Sequence, residues 1–203
     1  MEFLIAAGTA FILIFPVELP DKTFVATLVL ATRYRALMVW LGVAAAFGIQ
    51  CLVAVAAGRL IRLLPERPIE LVTAGLFLTG AVILAWSARR ARAGEQEQER
   101  EYEAKVGTQP PRTGLRAAAA SFVVLFAAEW GDLSQLFTAG LVARGGHPVA
   151  VFLGSWLALV TVSGLAVLLG RVLLRYVSLV VVHYVGAALC VALAVLTLIN
   201  ALS

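Results

Sequence analysis

Apolar residues run along this chain in six blocks, roughly 3–31, 36–57, 69–88, 115–142, 148–170 and 177–202. Each is long enough to cross a hydrocarbon core of ~30 Å, which takes ~20 residues as a helix. The pattern predicts an all-α membrane protein with six transmembrane helices. Two blocks are interrupted by charge. The first contains Glu18-Leu19-Pro20-Asp21-Lys22-Thr23, and the fourth contains Glu129-Trp130-Gly131-Asp132-Leu133-Ser134.

The two interruptions belong to an internal repeat. An offset of 111 positions pairs Glu18 with Glu129, Asp21 with Asp132, Thr23 with Ser134, Thr27 with Thr138, Arg33 with Arg144 and Gly75 with Gly186. With one further residue, Gly42 pairs with Gly154 and Gly58-Arg59 with Gly170-Arg171. The chain therefore divides into a three-helix repeat over 1–88, a linker over 89–114 and a second three-helix repeat over 115–203. Three helices is an odd number, so the halves insert with opposite orientations. Such inverted repeats place substrate sites near the midplane, where corresponding broken helices meet.

Composition agrees with lipid as the solvent: 62% of residues are hydrophobic, 14% are charged, and the mean hydropathy is +0.96. Basic residues are distributed unevenly. The connections after helices 1, 3 and 5 carry eleven: Arg33, Arg35, Arg89, Arg90, Arg92, Arg100, Lys105, Arg112, Arg116, Arg171 and Arg175. Those after helices 2 and 4 carry Arg59, Arg62, Arg67 and Arg144. The positive-inside rule puts the linker in the cytoplasm and both termini outside. The net charge of +4 is thus a topology signal and predicts no nucleic-acid partner. The first apolar block has no basic leader and is too long for a cleaved signal, so it is expected to be a retained helix. A prokaryotic plasma membrane is the expected location.

Ionisable groups inside a bilayer cost at least ~2.5 kcal/mol each on insertion scales and mark function. On an ideal helix, positions three apart share a face, so Glu18 and Asp21 could enter one cavity, as could Glu129 and Asp132. Four carboxylates near a pseudo-two-fold axis cannot all ionise without a counter-charge. Protons supply it when the site is empty and a divalent cation when it is filled, a physical basis for cation/proton exchange. Hard oxygen ligands suit Mn²⁺, Ca²⁺ or Mg²⁺ over Cu⁺ or Zn²⁺. The expected ligands are Glu18, Asp21, Thr23, Glu129, Asp132, Ser134 and Gln135. Thr23 and Ser134 lie about 140° round an ideal helix from the glutamates and join the cavity only where the helix is broken. Pro16 and Pro20 free the carbonyls of Ile12 and Pro16 and favour such a break; Gly131 favours the second. Lys22 can neutralise one carboxylate, or stand in for the cation, but cannot neutralise four.

Other polar residues receive blander readings. Gln50, in the middle of helix 2, is expected to make an interhelical hydrogen bond, with a ligand role as the alternative. Cys51 and Cys190 read as buried thiols. His147 is expected to face solvent, and His183 to pack or bond at the interface. Trp86 beside Arg89 and Arg90 reads as an interfacial anchor. The acidic strip Glu95–Glu103 reads as a solvated linker, with cation sensing as the sharper alternative.

Three functional classes fit: a divalent-cation transporter, a small exporter of amino acids or another metal, and an intramembrane aspartyl protease using Asp21 and Asp132. The protease leaves both glutamates idle, and no ATP-site motif is present, so ion gradients supply any driving force.

In its duplicated motif the chain resembles the Gdt-type cation transporter family, marked by two copies of Glu-x-Gly-Asp-(Lys/Arg)-(Thr/Ser). Pro20 replaces the first glycine and Leu133 the second basic residue. The resemblance covers nearly the whole chain. It implies a secondary transporter exchanging Mn²⁺ or Ca²⁺ for protons, with export as the expected direction. It carries the binding role to Glu18, Asp21, Thr23, Glu129, Asp132 and Ser134. The expected partners are the cation, protons and the lipid bilayer. No enzymatic activity and no resident cofactor are expected, the metal being cargo. The oligomeric state stays open, and a homo-oligomer is compatible with the sequence.

Overall fold

The computed structural model describes residues 2–19, 22–63, 73–86, 113–176 and 179–202. They form eight helices: α1 Glu2–Glu18, α2 Lys22–Arg33, α3 Ala36–Ile61, α4 Thr73–Trp86, α5 Leu115–Ala128, α6 Leu133–Ala143, α7 Pro148–Tyr176 and α8 Leu179–Leu202. There is no strand among the described residues. The described residues are all-helical, as in a helical membrane protein. The outer surface exposes Leu4, Ile12, Leu52, Leu78, Val123 and Leu157, each well inside a helix or its apolar end. Lipid solvates such a surface; water would not.

Helices α3 and Pro148–Leu168 of α7 are each long and apolar enough to span a bilayer alone, both with mean hydropathy 2.1. The first and fourth apolar blocks are not single helices, as a continuous reading of the hydropathy would have them. Each is a bent pair, 70° between Glu2–Glu18 and Thr23–Arg33 and 71° between α5 and α6. Counting each pair as one span gives four among the described residues. Helix α4 is shorter, and residues 89–112 of the expected linker over 89–114 lie outside the described residues.

The inner members of the bent pairs sit at the centre. Every residue of α2 from Thr23 to Leu30 is buried, as are eight of the eleven residues of α6. A helix buried all round must be enclosed by other helices. Helix α2 packs against α3, α5 and α7, and α6 packs against α1, α3 and α7.

The packing is reciprocal. Exchanging α1 with α5, α2 with α6 and α3 with α7 turns the α1–α7 contact into α5–α3, α2–α7 into α6–α3, and α1–α6 into α5–α2. Small residues make the close approaches, as expected where lipid supplies no hydrophobic drive between helices. A Cβ on Gly42 of α3 would overlap the carbonyl oxygen of Ala118 on α5, and one on Gly154 of α7 would overlap that of Ala7 on α1. Both members of each contact are repeat counterparts of the other pair.

Helices α3 and α7 meet through two crossed indole bonds. Trp40 Nε1 donates to the Val160 carbonyl at 3.0 Å, and Trp156 Nε1 donates to the Ala44 carbonyl at 2.9 Å. Away from water an indole N–H needs such a partner. Helix α4 packs on α6 by stacking Phe77 on Phe137, with ring centroids 5.8 Å apart.

Candidate functional site

The second motif is fully described and shows how its turn is built. Helix α5 ends at Ala128, Glu129 follows as its C-cap, and Asp132 occupies the N-cap position of α6. Gly131 between them has φ +81°, the left-handed region that costs a residue with a Cβ. Glu129 and Asp132 therefore do not share the face of one continuous helix, as ideal spacing would have it. Each stands at the facing end of a separate helix.

Gln135 braces this turn. Its Nε2 donates to the Glu129 carbonyl at 2.6 Å, and its Oε1 accepts from the Gly131 N–H at 3.3 Å. Expected as an oxygen ligand, Gln135 has its amide committed to the backbone that carries the two acids. Asp132 does the opposite. An aspartate at an N-cap ordinarily accepts from the first-turn N–H groups, yet its side chain makes no cap bond. The N–H groups of Gln135 and Leu136 go to its backbone carbonyl instead, and Oδ2 is buried without a hydrogen-bond partner. A carboxylate oxygen held that way is available to an incoming cation or proton.

The first motif is described in part. Glu18 ends α1 and is 1% exposed; Glu129 is 3% exposed. Both glutamates thus lie at the C-terminal ends of their helices, where the backbone dipole is negative and a cation is favoured. Thr23, in the first turn of α2, is buried and its Oγ1 has no hydrogen-bond partner among the described residues. Ser134 is buried in the matching turn of α6. The helix breaks thus meet the condition that Thr23 and Ser134 required. Asp21, Pro20 and the Lys22 side chain lie outside the described residues.

Among the described residues, no three His, Cys, Asp or Glu side chains stand close enough together to hold a metal ion. Glu18, Glu129 and Asp132 by themselves are not a closed cage. A groove of about 610 Å³ between α3 and α7 is lined mainly by apolar residues, Trp40 and Leu165 among them, and by none of the site residues.

Supporting residues come from the scaffold helices. Gln50, buried on α3, donates to the carbonyl of Phe126 in the last turn of α5 at 3.2 Å, the interhelical bond expected of it. Thr138 of α6 bonds to the Ser134 carbonyl at 2.7 Å and to Ser155 Oγ of α7 at 2.9 Å. Ser155 escaped the sequence reading because its only signal is one hydroxyl in an apolar block. Cys51 is a buried free thiol, and His147 is exposed with its ring edge-on to Phe3 at 5.4 Å. The side chains of Cys190 and His183 lie outside the described residues.

The profile of the divalent cation/proton antiporter GDT1 family matches residues 6–92 and 117–203, two windows offset by 111 positions. A GDT1-like protein of Synechocystis sp. is 32% identical over 190 residues, covering 87% of this chain and 91% of the relative. The chloroplastic protein PAM71 of Arabidopsis thaliana is 32% identical over 207 residues, covering 94% of this chain and 55% of the relative. A chloroplastic GDT1-like protein 1 of Oryza sativa is 30% identical over 210 residues, 95% of this chain and 61% of the relative. The chain thus spans little more than half the length of the plant relatives. No solved structure gave a significant match. With acids buried at two helix breaks and a family profile that fits both halves, the chain belongs to the divalent cation/proton antiporter GDT1 family.

Proposed function

We propose that this protein exchanges Mn²⁺ or Ca²⁺ for protons through one site shared by its two halves, exporting the cation across a prokaryotic plasma membrane. The ligands in this reading are Glu18, Asp21, Thr23, Glu129, Asp132 and Ser134, with Gln135 fixing the second turn. Six spans in two inverted three-helix repeats, with both termini outside, complete the proposal.

The observation that carries it is the pairing of buried carboxylates with uncommitted oxygen atoms at two helix breaks. Asp132 Oδ2 and Thr23 Oγ1 are both buried without a hydrogen-bond partner, each at the start of an interior helix. A buried polar atom left unmet costs ~1–3 kcal/mol, so it is retained where a ligand meets it. The reciprocal packing of α1, α2 and α3 on α5, α6 and α7 supports two equivalent halves around a shared centre. Protons and a hard divalent cation compete for the same oxygens, so loading one releases the other. An aspartyl protease would leave Glu18 and Glu129 idle, although both are nearly sealed from solvent.

Proteoliposomes loaded with Mn²⁺ test the proposal: an imposed proton gradient drives Mn²⁺ movement that Glu18→Gln or Glu129→Gln stops. Transport at the wild-type rate by either variant would refute a shared site.

A further inference from the structure

One of the differences between the two halves concerns the partner of a buried hydroxyl. Thr27 on α2 and Thr138 on α6 are counterparts, both fully buried, one helical turn beyond Thr23 and Ser134 respectively. On α6 the hydroxyl is latched, bonding Ser155 Oγ of α7 at 2.9 Å. The α3 residue corresponding to Ser155 is Val43, which is buried and has no polar atom to offer. Thr27 Oγ1 and Thr23 Oγ1 are accordingly both buried and without hydrogen-bond partners among the described residues.

Threonines four apart lie on the same face of a helix. Thr23 and Thr27 thus make a two-rung ladder leading from the acidic turn towards Arg33, where α2 ends. A buried helical threonine normally bonds the carbonyl four residues back, as Thr138 bonds that of Ser134. Thr27 makes no such bond. Two adjacent unmet hydroxyls can accept a water or share the shell of a partly hydrated ion, because each oxygen presents two lone pairs.

We propose that Thr23 and Thr27 form a relay station for a hydrated divalent cation between the acidic site and the Arg33 end of α2, while Ser155 keeps the equivalent track on α6 closed in this conformation. The proposal rests on the shared-site antiporter reading for its cargo. The asymmetry makes the two access routes unequal: Thr27 presents a receptive oxygen on one, and Thr138 has its oxygen engaged on the other.

Single cysteines at position 27 or 138, in the full chain with Cys51→Ala and Cys190→Ala, test access independently of transport. An ammonium-bearing methanethiosulfonate should modify Thr27→Cys about tenfold faster than Thr138→Cys, and Mn²⁺ should slow it. Size-exclusion elution as a single folded species is checked for each variant. Equal rates, or faster reaction at position 138, overturn the proposal. In proteoliposomes Thr27→Val and Val43→Ser should each slow exchange about tenfold at unchanged Mn²⁺ affinity, the first by removing the oxygen and the second by engaging it, whereas Thr27→Ser keeps the rate. Wild-type rates in both Thr27→Val and Val43→Ser overturn it as well. A wild-type protein that exchanges no cation sinks the antiporter reading, yet leaves the comparison of labelling rates to decide access.

Discussion

The side-chain amide of Gln135 donates to the backbone carbonyl of Glu129 at 2.6 Å, across the turn that separates α5 from α6. The bond joins residues six positions apart, with Glu129 at one end and Asp132 inside the loop it closes. The backbone that carries both carboxylates is therefore held by the Gln135 side chain. Gln135→Ala is expected to keep the fold and to weaken Mn²⁺ binding, measured by isothermal titration in detergent. Gln135→Glu should be worse, because a carboxylate cannot donate to a carbonyl and repels its neighbours.

Gly131 holds the same turn by backbone conformation. Alanine at φ +81° costs about 1–2 kcal/mol although no atom lies within 4 Å of the added Cβ. Gly131→Ala is expected to lower thermal stability by about that amount and to reduce exchange further, because the turn relaxes to carry its acids elsewhere. Gly131→Asn, which tolerates left-handed backbone better, should recover part of both.

Reciprocal packing makes a symmetric prediction. Gly42→Ala and Gly154→Ala each drive a methyl into a backbone carbonyl, Ala118 in one case and Ala7 in the other. Backbone cannot swing aside as a side chain can, so each should cost about 1–3 kcal/mol in thermal unfolding followed by size-exclusion. Gly8→Ala and Gly75→Ala, with open space around the new methyl, serve as the neutral controls.

Gln50 links α3 of the first half to the end of α5 in the second. Intramembrane hydrogen bonds are worth ~0.6 kcal/mol on average, so Gln50→Leu is expected to lower stability by about that amount. Its effect on exchange should be larger than its effect on stability, since the bond holds the turn of α5 that leads into Glu129.

Much of this was legible in the chain itself. Glu18, Glu129, Asp132 and their offset of 111 positions announce two halves, and the acids mark the breaks in both first helices. The bends of 70° and 71° were not readable, because hydropathy counts apolar residues and is blind to direction. One ideal helix would put Glu129 and Asp132 on a shared face; the positive φ of Gly131 ends that helix and gives each acid its own helix end. The crossed bonds of Trp40 and Trp156, and the latch between Thr138 and Ser155, pair residues from separate helices. No local pattern encodes such pairs. The amide of Gln135 suits a metal and a turn alike, and here it bonds the turn.

The most direct measurement is proton release on cation binding. Purified protein in weakly buffered detergent is titrated with Mn²⁺ while pH is recorded. The shared site predicts protons released in proportion to bound Mn²⁺, with release reduced in Glu18→Gln and in Glu129→Gln alike. Binding without proton release, or release that depends on only one half of the chain, would contradict it.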